Sequence, residues 1–137
     1  MIRTDYPIHR EDYTRAGEAS ADIKRQLKQL GVSSAILRRV AVAAYEMELN
    51  IVIHSLGGSM TMEVDSEGIK LSSRDEGPGI PNVQKAMSEG FSTADEVARG
   101  MGFGAGMGLP NMRRNADQFE IESVMGQGTC IRMLFTL

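Results

Sequence analysis

The chain has 137 residues, 42% of them hydrophobic, which is enough for one globular domain with its own core. Its 15 basic and 18 acidic residues leave a net charge of -3, which disfavours a nucleic acid as the main partner. The single cysteine, Cys130, excludes an internal disulfide framework, and the charged first residues lack an apolar run typical of a signal peptide or a membrane span. We therefore expect one domain over residues 1–137, located in the cytoplasm.

The first half of the chain predicts one strand followed by two helices. Residues 3–9 alternate loosely and contain Pro7, which is typical of an edge strand. Apolar residues recur at helical spacing over residues 11–30, and Gly31 is expected to end this amphipathic helix. A second helix is predicted from about residue 33 to residue 56.

The second half predicts a hairpin, a glycine-rich loop, a short helix and a closing hairpin. Two alternating runs joined by a short turn occupy residues 59–73. Residues 90–108 contain six glycines, five of which alternate, so no regular element is expected there. A helix over residues 109–117 and a hairpin over residues 119–137 follow. This order predicts an α/β (α+β) two-layer sandwich, with a mixed sheet of four or five strands and helices on one face.

A polar stripe inside the second helix needs a chemical explanation. Glu46, Asn50 and His54 follow one another at four-residue steps, so their side chains share one side of the helix. Apolar residues occupy most of the other positions, which is typical of a buried helix. Because a buried carboxylate or amide costs roughly a few kcal/mol without partners, the stripe is expected to face a cavity that holds a ligand, a metal ion or water.

The glycine-rich segment suggests a phosphate site, but three common nucleotide motifs do not fit it. No Lys-Ser or Lys-Thr pair follows Gly108, as the Walker motif requires. The alternating glycines do not have the spacing of the dinucleotide fingerprint. The strand lysine and the His-Arg-Asp loop of eukaryotic protein kinases are also missing.

Four other short motifs follow one another along the chain. They are Glu46-x-x-x-Asn50 on the buried helix, Asp75-x-Gly77-x-Gly79 after a strand, Gly104-x-Gly106-x-Gly108 before a helix, and Gly126-x-Gly128-Thr129 in a hairpin. With this ordered set the chain resembles the GHKL superfamily of ATPases and kinases, which share the Bergerat fold, from about residue 10 to its end. Within this superfamily the chain is similar to the stand-alone anti-sigma factors and switch-protein serine/threonine kinases of bacterial partner-switching modules. The similarity lies in its small size and in residues 89–93 and 106–110.

The resemblance implies a histidine-kinase-like ATP-binding domain and assigns residues to its site. Glu46 is the expected general base, and Asn50 is the expected ligand of Mg²⁺, a hard cation that prefers oxygen. Asp75 is expected to accept a hydrogen bond from the adenine amine, and the hydroxyl of Thr129 is expected to support the adenine pocket by a hydrogen bond. The backbone N–H groups before the last helix are expected to bind phosphate. Further contacts to ATP or ADP are expected from His54, Gly77, Gly79, Ile80, Gly104, Gly106, Met107, Gly108 and Leu109.

Simpler interpretations remain open for several of these residues. Glu46 could be a surface glutamate, Asp75 an ordinary turn aspartate, and His54 a buried histidine with a backbone partner. Glu48 lies two residues from Glu46 on a different side of the helix. We expect Glu48 to be structural or solvated, which makes it a local control.

Three functions are compatible with this set of motifs. The first is an ATP- and Mg²⁺-dependent serine/threonine protein kinase that phosphorylates a STAS-domain partner. The second is an anti-sigma factor that sequesters a sigma subunit under the control of ATP. The third is an ATP-binding domain with little turnover that serves a larger complex. Neither a nucleic acid nor a membrane is expected as a partner, and a homodimer is compatible with all three functions.

Overall fold

The computed structural model describes residues 1–77, 79, 87 and 108–137. Within these residues, five strands and three helices follow one another in the order β1 (Ile2–Ile8), α1 (Glu18–Gln29), α2 (Ser34–His54), β2 (Gly58–Val64), β3 (Gly68–Asp75), α3 (Gly108–Asn115), β4 (Gln118–Val124) and β5 (Gly128–Thr136). None of these helices is long and apolar enough to cross a membrane.

The five strands form one sheet in the order β1-β2-β3-β5-β4, with β3 in the centre. The prediction of a mixed sheet is corrected, because every pairing among the described strands is antiparallel. Two of the pairs, β2–β3 and β4–β5, are hairpins, whose strands run in opposite directions. Two helices rather than one connect β1 to β2, so the chain returns to the sheet in the opposite direction.

The helices cover one face of the sheet, as predicted for a two-layer sandwich. Along β3, buried residues alternate with the more exposed Lys70, Ser72 and Arg74. The core between the two layers is made mostly of aliphatic residues and methionines, namely Ile23, Leu27, Val40, Met47, Ile51, Met60, Met62, Ile69, Leu71, Met112, Ile131, Met133 and Phe135. The predicted fold class is therefore confirmed.

Helix α2 occupies the middle of the helical layer, in contact with both α1 and α3. Ser33 caps its first turn by accepting a hydrogen bond from the N–H of Ile36 at 3.5 Å. The expectation of burial on nearly all sides is wrong for Val42 and Tyr45, which are 38% and 39% exposed. In a two-layer sandwich the outer side of the helical layer faces solvent, and these two residues lie there.

Glu48 joins α2 to the start of α1. Its Oε2 atom accepts hydrogen bonds from the N–H groups of Gly17 and Ala19 at 3.0 and 3.2 Å, and its Oε1 atom accepts one from Ser20 at 2.9 Å. The first N–H groups of a helix have no partner within that helix. The N-cap residue Gly17 has no side chain that could serve them, so the buried carboxylate of Glu48 does. The predicted structural role of Glu48 is confirmed.

Replacing Glu48 by Ala is expected to lower the free energy of unfolding by about 3 kcal/mol, because three N–H groups lose their acceptor. Urea unfolding followed by circular dichroism at pH 7 measures this loss. A change of less than about 0.5 kcal/mol, the usual range for a surface substitution, would contradict the capping role.

Candidate functional site

Glu46 lies where the middle of α2 meets the first turn of α3. Its Oε1 atom accepts a hydrogen bond from Nδ2 of Asn111 at 3.3 Å. Its Oε2 atom lies so close to Gly108 that a Cβ atom there would be 3.2 Å away. Glu46 is half-buried, and this burial raises its pKa, while the hydrogen bond from Asn111 opposes the rise. Glu46 is therefore a partly desolvated carboxylate beside the start of α3 rather than a free surface residue.

Asn50 and His54 continue the stripe towards the end of α2, and both are half-buried. Burial lowers the pKa of His54, so its imidazole is mostly neutral at pH 7. A neutral imidazole can give a phosphate one hydrogen bond but no positive charge. Glu46 and His54 are separated by about 12 Å along the helix axis, at 1.5 Å per residue, so the stripe is long enough to follow an extended triphosphate.

The part of the chain that the structure describes contains no group of three or more His, Cys, Asp or Glu side chains placed to hold a metal ion. Mg²⁺ commonly takes only one or two protein ligands, with the rest from phosphates and water. Asn50 carries an amide oxygen one helical turn after Glu46, and this hard oxygen donor fits that mode of binding.

Asp75 is the last residue of β3 and is 8% exposed. Its Oδ1 atom accepts a hydrogen bond from the N–H of Thr129 at 3.0 Å. Burial raises the pKa of Asp75, and this hydrogen bond lowers it by a smaller amount. Among the described residues this single hydrogen bond to the carboxylate ends on Oδ1, which leaves Oδ2 to accept one from a ligand.

Two glycines on the neighbouring strands make room for Asp75. A Cβ atom on Gly128 of β5 would clash with the carbonyl oxygen of Asp75, and one on Gly58 of β2 would lie 2.7 Å from its Cα atom. The sequence analysis predicts only that the second helix ends near residue 56, and it gives Gly58 no role. The pair Gly57-Gly58 was the available signal, because one glycine suffices to end a helix, and in the structure Gly57 does so at φ +112°.

Replacing Gly128 by Ala is expected to destabilise the fold by about 3 kcal/mol, because the new methyl group meets main-chain atoms of Asp75 and φ is +141°. Gly126 is the matched control. Its φ is +79° and nothing lies within 4 Å of its Cβ position, so the Ala variant is expected to lose only about 1 kcal/mol. Thermal unfolding of both variants tests this, and equal losses would contradict the packing role of Gly128.

The chain that follows β3 is held by main-chain hydrogen bonds. Between α2 and β2, the N–H of Leu56 donates to the carbonyl oxygen of Glu76 at 2.7 Å, and the N–H of Glu76 donates to that of Gly57 at 3.0 Å. The N–H of Gly77 donates to the carbonyl oxygen of Gln127 in the β4–β5 turn at 3.3 Å. Gly79 has a φ of +77°, and a Cβ atom there would lie 2.7 Å from the carbonyl oxygen of Val124. The backbone at position 79 therefore requires glycine.

Both the hydroxyl group and the main-chain N–H of Thr129 have partners near Asp75. Its hydroxyl group lies 3.0 Å from the hydroxyl of Ser123, whereas its main-chain N–H binds Asp75. Thr129 is also buried, at 6% exposed. The direct support of Asp75 thus comes from the backbone of residue 129, which sequence patterns alone do not reveal.

The start of α3 includes two further predicted residues. Gly108 is the first residue of the helix and lies against Glu46, as described above. Leu109 is 6% exposed and belongs to the hydrophobic core. The predicted site residues Ile80, Gly104, Gly106 and Met107 lie outside the described residues.

Known proteins resemble this chain over most of its length. The family model described as a histidine kinase-like ATPase domain matches residues 10–135. The serine/threonine-protein kinase RsbT of Bacillus subtilis is 34% identical over 111 residues, which cover 78% of this chain and 77% of that protein. The anti-sigma F factor of Caldanaerobacter subterraneus is 36% identical over 119 residues, covering 85% and 69%. The anti-sigma F factor of Thermoanaerobacter pseudethanolicus is 35% identical over 99 residues, covering 69% and 66%.

Proposed function

Because this chain belongs to the family of histidine kinase-like ATPase domains, we propose that it is an ATP-dependent serine/threonine protein kinase acting on a partner protein. The resemblance predicted from the four ordered motifs is confirmed by the family match. A relative named as a serine/threonine-protein kinase supports the activity. The observation that carries the proposal is the half-buried carboxylate of Glu46, one turn before Asn50 and beside the start of α3.

In the proposed reaction, Glu46 accepts the proton of a serine or threonine hydroxyl of the partner. The hydroxyl oxygen forms a bond to the γ-phosphorus while the bond from that phosphorus to the β–γ bridging oxygen breaks, and ADP leaves with the electron pair. Glu46 then passes its proton to water. Burial raises the pKa of Glu46, so its carboxylate is a stronger base than that of an exposed glutamate.

Asp75 selects the base of the nucleotide in this proposal. Its Oδ1 atom is engaged by Thr129, and Oδ2 accepts a hydrogen bond from the exocyclic amine of adenine. Guanine carries an oxygen at that position, and two acceptors repel each other. The glycines at positions 58 and 128 hold Asp75 close to both neighbouring strands.

Asn50 is the proposed ligand of Mg²⁺, through its amide oxygen. When bound, Mg²⁺ would neutralise charge on the triphosphate. The backbone at the start of α3, beginning with Gly108, is proposed to meet phosphate oxygens, because unpaired N–H groups at a helix start favour anions.

The proposed partner is a STAS-domain protein of a partner-switching module in the cytoplasm, and its affinity for a third protein would change on phosphorylation. A second candidate function is supported by the anti-sigma F factors that the chain matches. In that case the chain, alone or as a homodimer, would sequester a sigma subunit and ATP would control which partner it holds.

One incubation separates the two candidates. The protein is mixed with ATP labelled at the γ-phosphate, Mg²⁺ and the STAS-domain protein encoded beside it, with and without the sigma factor of the same locus. Label on serine or threonine of the STAS-domain protein supports the kinase. Stable capture of the sigma factor with ATP, without labelling, supports the anti-sigma factor and contradicts the kinase.

A further inference from the structure

Asn111 connects the proposed base Glu46 to the guanidinium group of Arg114. Its Nδ2 atom donates to Oε1 of Glu46 at 3.3 Å, and its Oδ1 atom accepts a hydrogen bond from Nη2 of Arg114. The reverse orientation of the amide would place oxygen against the carboxylate and NH₂ against the guanidinium, and both contacts would repel. The two neighbours therefore fix the amide with its donor towards Glu46.

The helix that carries Asn111 is itself held in place against α2. Met112, the next residue, is fully buried in the core. At the end of α3, Nε of Arg39 donates to the carbonyl oxygen of Asn115 at 2.9 Å, and its guanidinium forms an ion pair with Asp117 at 3.0 Å. Because α3 is held to α2 by these contacts, the donor of Asn111 stays at a fixed position relative to Glu46.

The two oxygens of Glu46 have different surroundings. Oε1 accepts the hydrogen bond from Asn111, whereas Oε2 lies close to Gly108, where a Cβ atom would be only 3.2 Å away. Among the described residues no hydrogen bond ends on Oε2, so Oε2 is the oxygen left to accept one from an incoming hydroxyl group. A carboxylate with one oxygen held and the other open has a defined direction for accepting a proton.

We propose that Asn111 is a positioning residue that holds Oε1 of Glu46 so that Oε2 accepts the proton of the protein substrate. This inference rests on the proposed kinase function. None of the four sequence motifs includes Asn111, so the contact emerges only from the packing of α3 against α2. The hydrogen bond also favours the ionised carboxylate, which opposes the effect of burial on the pKa of Glu46.

The test uses three variants at position 111, namely Asn111→Ala, Asn111→Asp and Asn111→Gln. The Ala and Asp variants remove the donor, and Asp keeps the shape of the side chain. We expect both to lower kcat by about ten-fold or more with an unchanged KM for ATP, because the base loses its fixed orientation while the contacts to the nucleotide stay. In the Asp variant the new carboxylate also repels that of Glu46. The hydrogen bond from Asn111 lowers the pKa of Glu46, so its loss should raise that pKa. In both variants the plot of kcat against pH should therefore reach half of its maximum at a higher pH than in the parent. The Gln variant keeps an NH₂ donor and should recover part of kcat.

Asn115→Ala is the matched control, because Asn115 lies one turn further along the same helix and its side chain donates to the backbone of Asn111 at 2.7 Å rather than to Glu46. It should keep the kcat and the pH profile of the parent. A second readout, the ¹³C carboxyl titration of Glu46 in the nucleotide-free protein, does not depend on activity. Its midpoint should move to higher pH in Asn111→Ala and stay in place in Asn115→Ala.

The outcomes separate this inference from the proposed function. If the parent protein phosphorylates its partner but Asn111→Ala shows the parent kcat and pH profile, the positioning role is overturned and the kinase stands. If the parent transfers no phosphate, the kinase function is overturned. The titration of Glu46 then still shows whether Asn111 donates a hydrogen bond to its carboxylate. An unchanged midpoint in Asn111→Ala would then overturn the inference too.

Discussion

The variant Glu46→Gln is expected to lose roughly a hundred-fold to ten-thousand-fold in the rate of phosphoryl transfer, the usual contribution of a general base. Glutamine has nearly the same shape and can still meet Asn111 through its amide oxygen, but it cannot take a proton from a hydroxyl group. Nucleotide affinity should change by less than about three-fold, because the substitution removes no contact to the adenine ring. Single-turnover phosphorylation and calorimetric titration with ADP measure the two quantities.

The same variant should unfold no more easily than the parent. Burial raises the folded-state pKa of Glu46, so its contribution to stability is fully present below the unfolded-state pKa and is lost as the pH rises through the raised folded-state value. At pH 7 the ionised carboxylate therefore costs stability, and the neutral glutamine removes that cost. This is the pattern of a residue kept for function at the expense of stability.

Glu48→Gln is the matched control, since it makes the same chemical change two residues away on the same helix. Glu48 accepts three N–H groups at the start of α1, so this variant should lose stability while each folded molecule keeps its rate. The two substitutions are thus expected to have opposite effects: Glu46→Gln lowers the rate and keeps stability, whereas Glu48→Gln lowers stability and keeps the rate. Equal losses of phosphoryl transfer in the two variants, corrected for folded protein, would contradict the assignment of Glu46 as the base.

The second large effect is expected at Asp75, where Asn should lower the affinity for ADP by about a hundred-fold. An aspartate offers two acceptor oxygens, one for the N–H of Thr129 and one for the adenine amine. An asparagine has only one, so keeping the bond to Thr129 turns its NH₂ group towards the amine. The variant loses a charge-assisted hydrogen bond and gains a repulsive contact, together worth about 3 kcal/mol.

The geometry also predicts a change in base preference. The NH₂ group that Asp75→Asn introduces can donate to the oxygen that guanine carries, so the ratio of GDP to ADP affinity should rise. Stability should be kept, because burial raises the pKa of Asp75 and the neutral amide retains the bond to Thr129. Calorimetric titration with ADP and GDP, and urea unfolding, test these points.

Asp65→Asn is the control for Asp75, because Asp65 lies in the β2–β3 turn and accepts its hydrogen bonds from Glu67 and Gly68. It should bind ADP like the parent. An unchanged ADP affinity in Asp75→Asn would contradict the adenine site at the end of β3. Both candidate functions depend on that site and would be contradicted too.

Much of the fold could be predicted from local patterns. The periodicity of α2 and the alternation along β3 depend on neighbours within one element, and the structure places both elements as expected. The direction of pairing could not be predicted in the same way. It depends on the two helices between β1 and β2 bringing the chain back antiparallel, which is a property of the whole connection.

The candidate site was predictable where its residues follow one another on a single element. Glu46, Asn50 and His54 share a side of α2 because of helical geometry alone. Gly58 and Asn111 were missed, because their roles arise from contacts with residues that are distant in the sequence. Gly58 faces Asp75 through strand register, and Asn111 reaches Glu46 across two packed helices.

The most direct test is a crystal structure of the protein with Mg²⁺ and a non-hydrolysable ATP analogue. We predict that the adenine amine donates to Oδ2 of Asp75, that the amide oxygen of Asn50 ligates the metal ion, and that the γ-phosphate lies on the side of α2 that carries Glu46. A complex in which packed side chains fill the space over Glu46 and Asn50, with the analogue bound elsewhere or absent, would contradict the account.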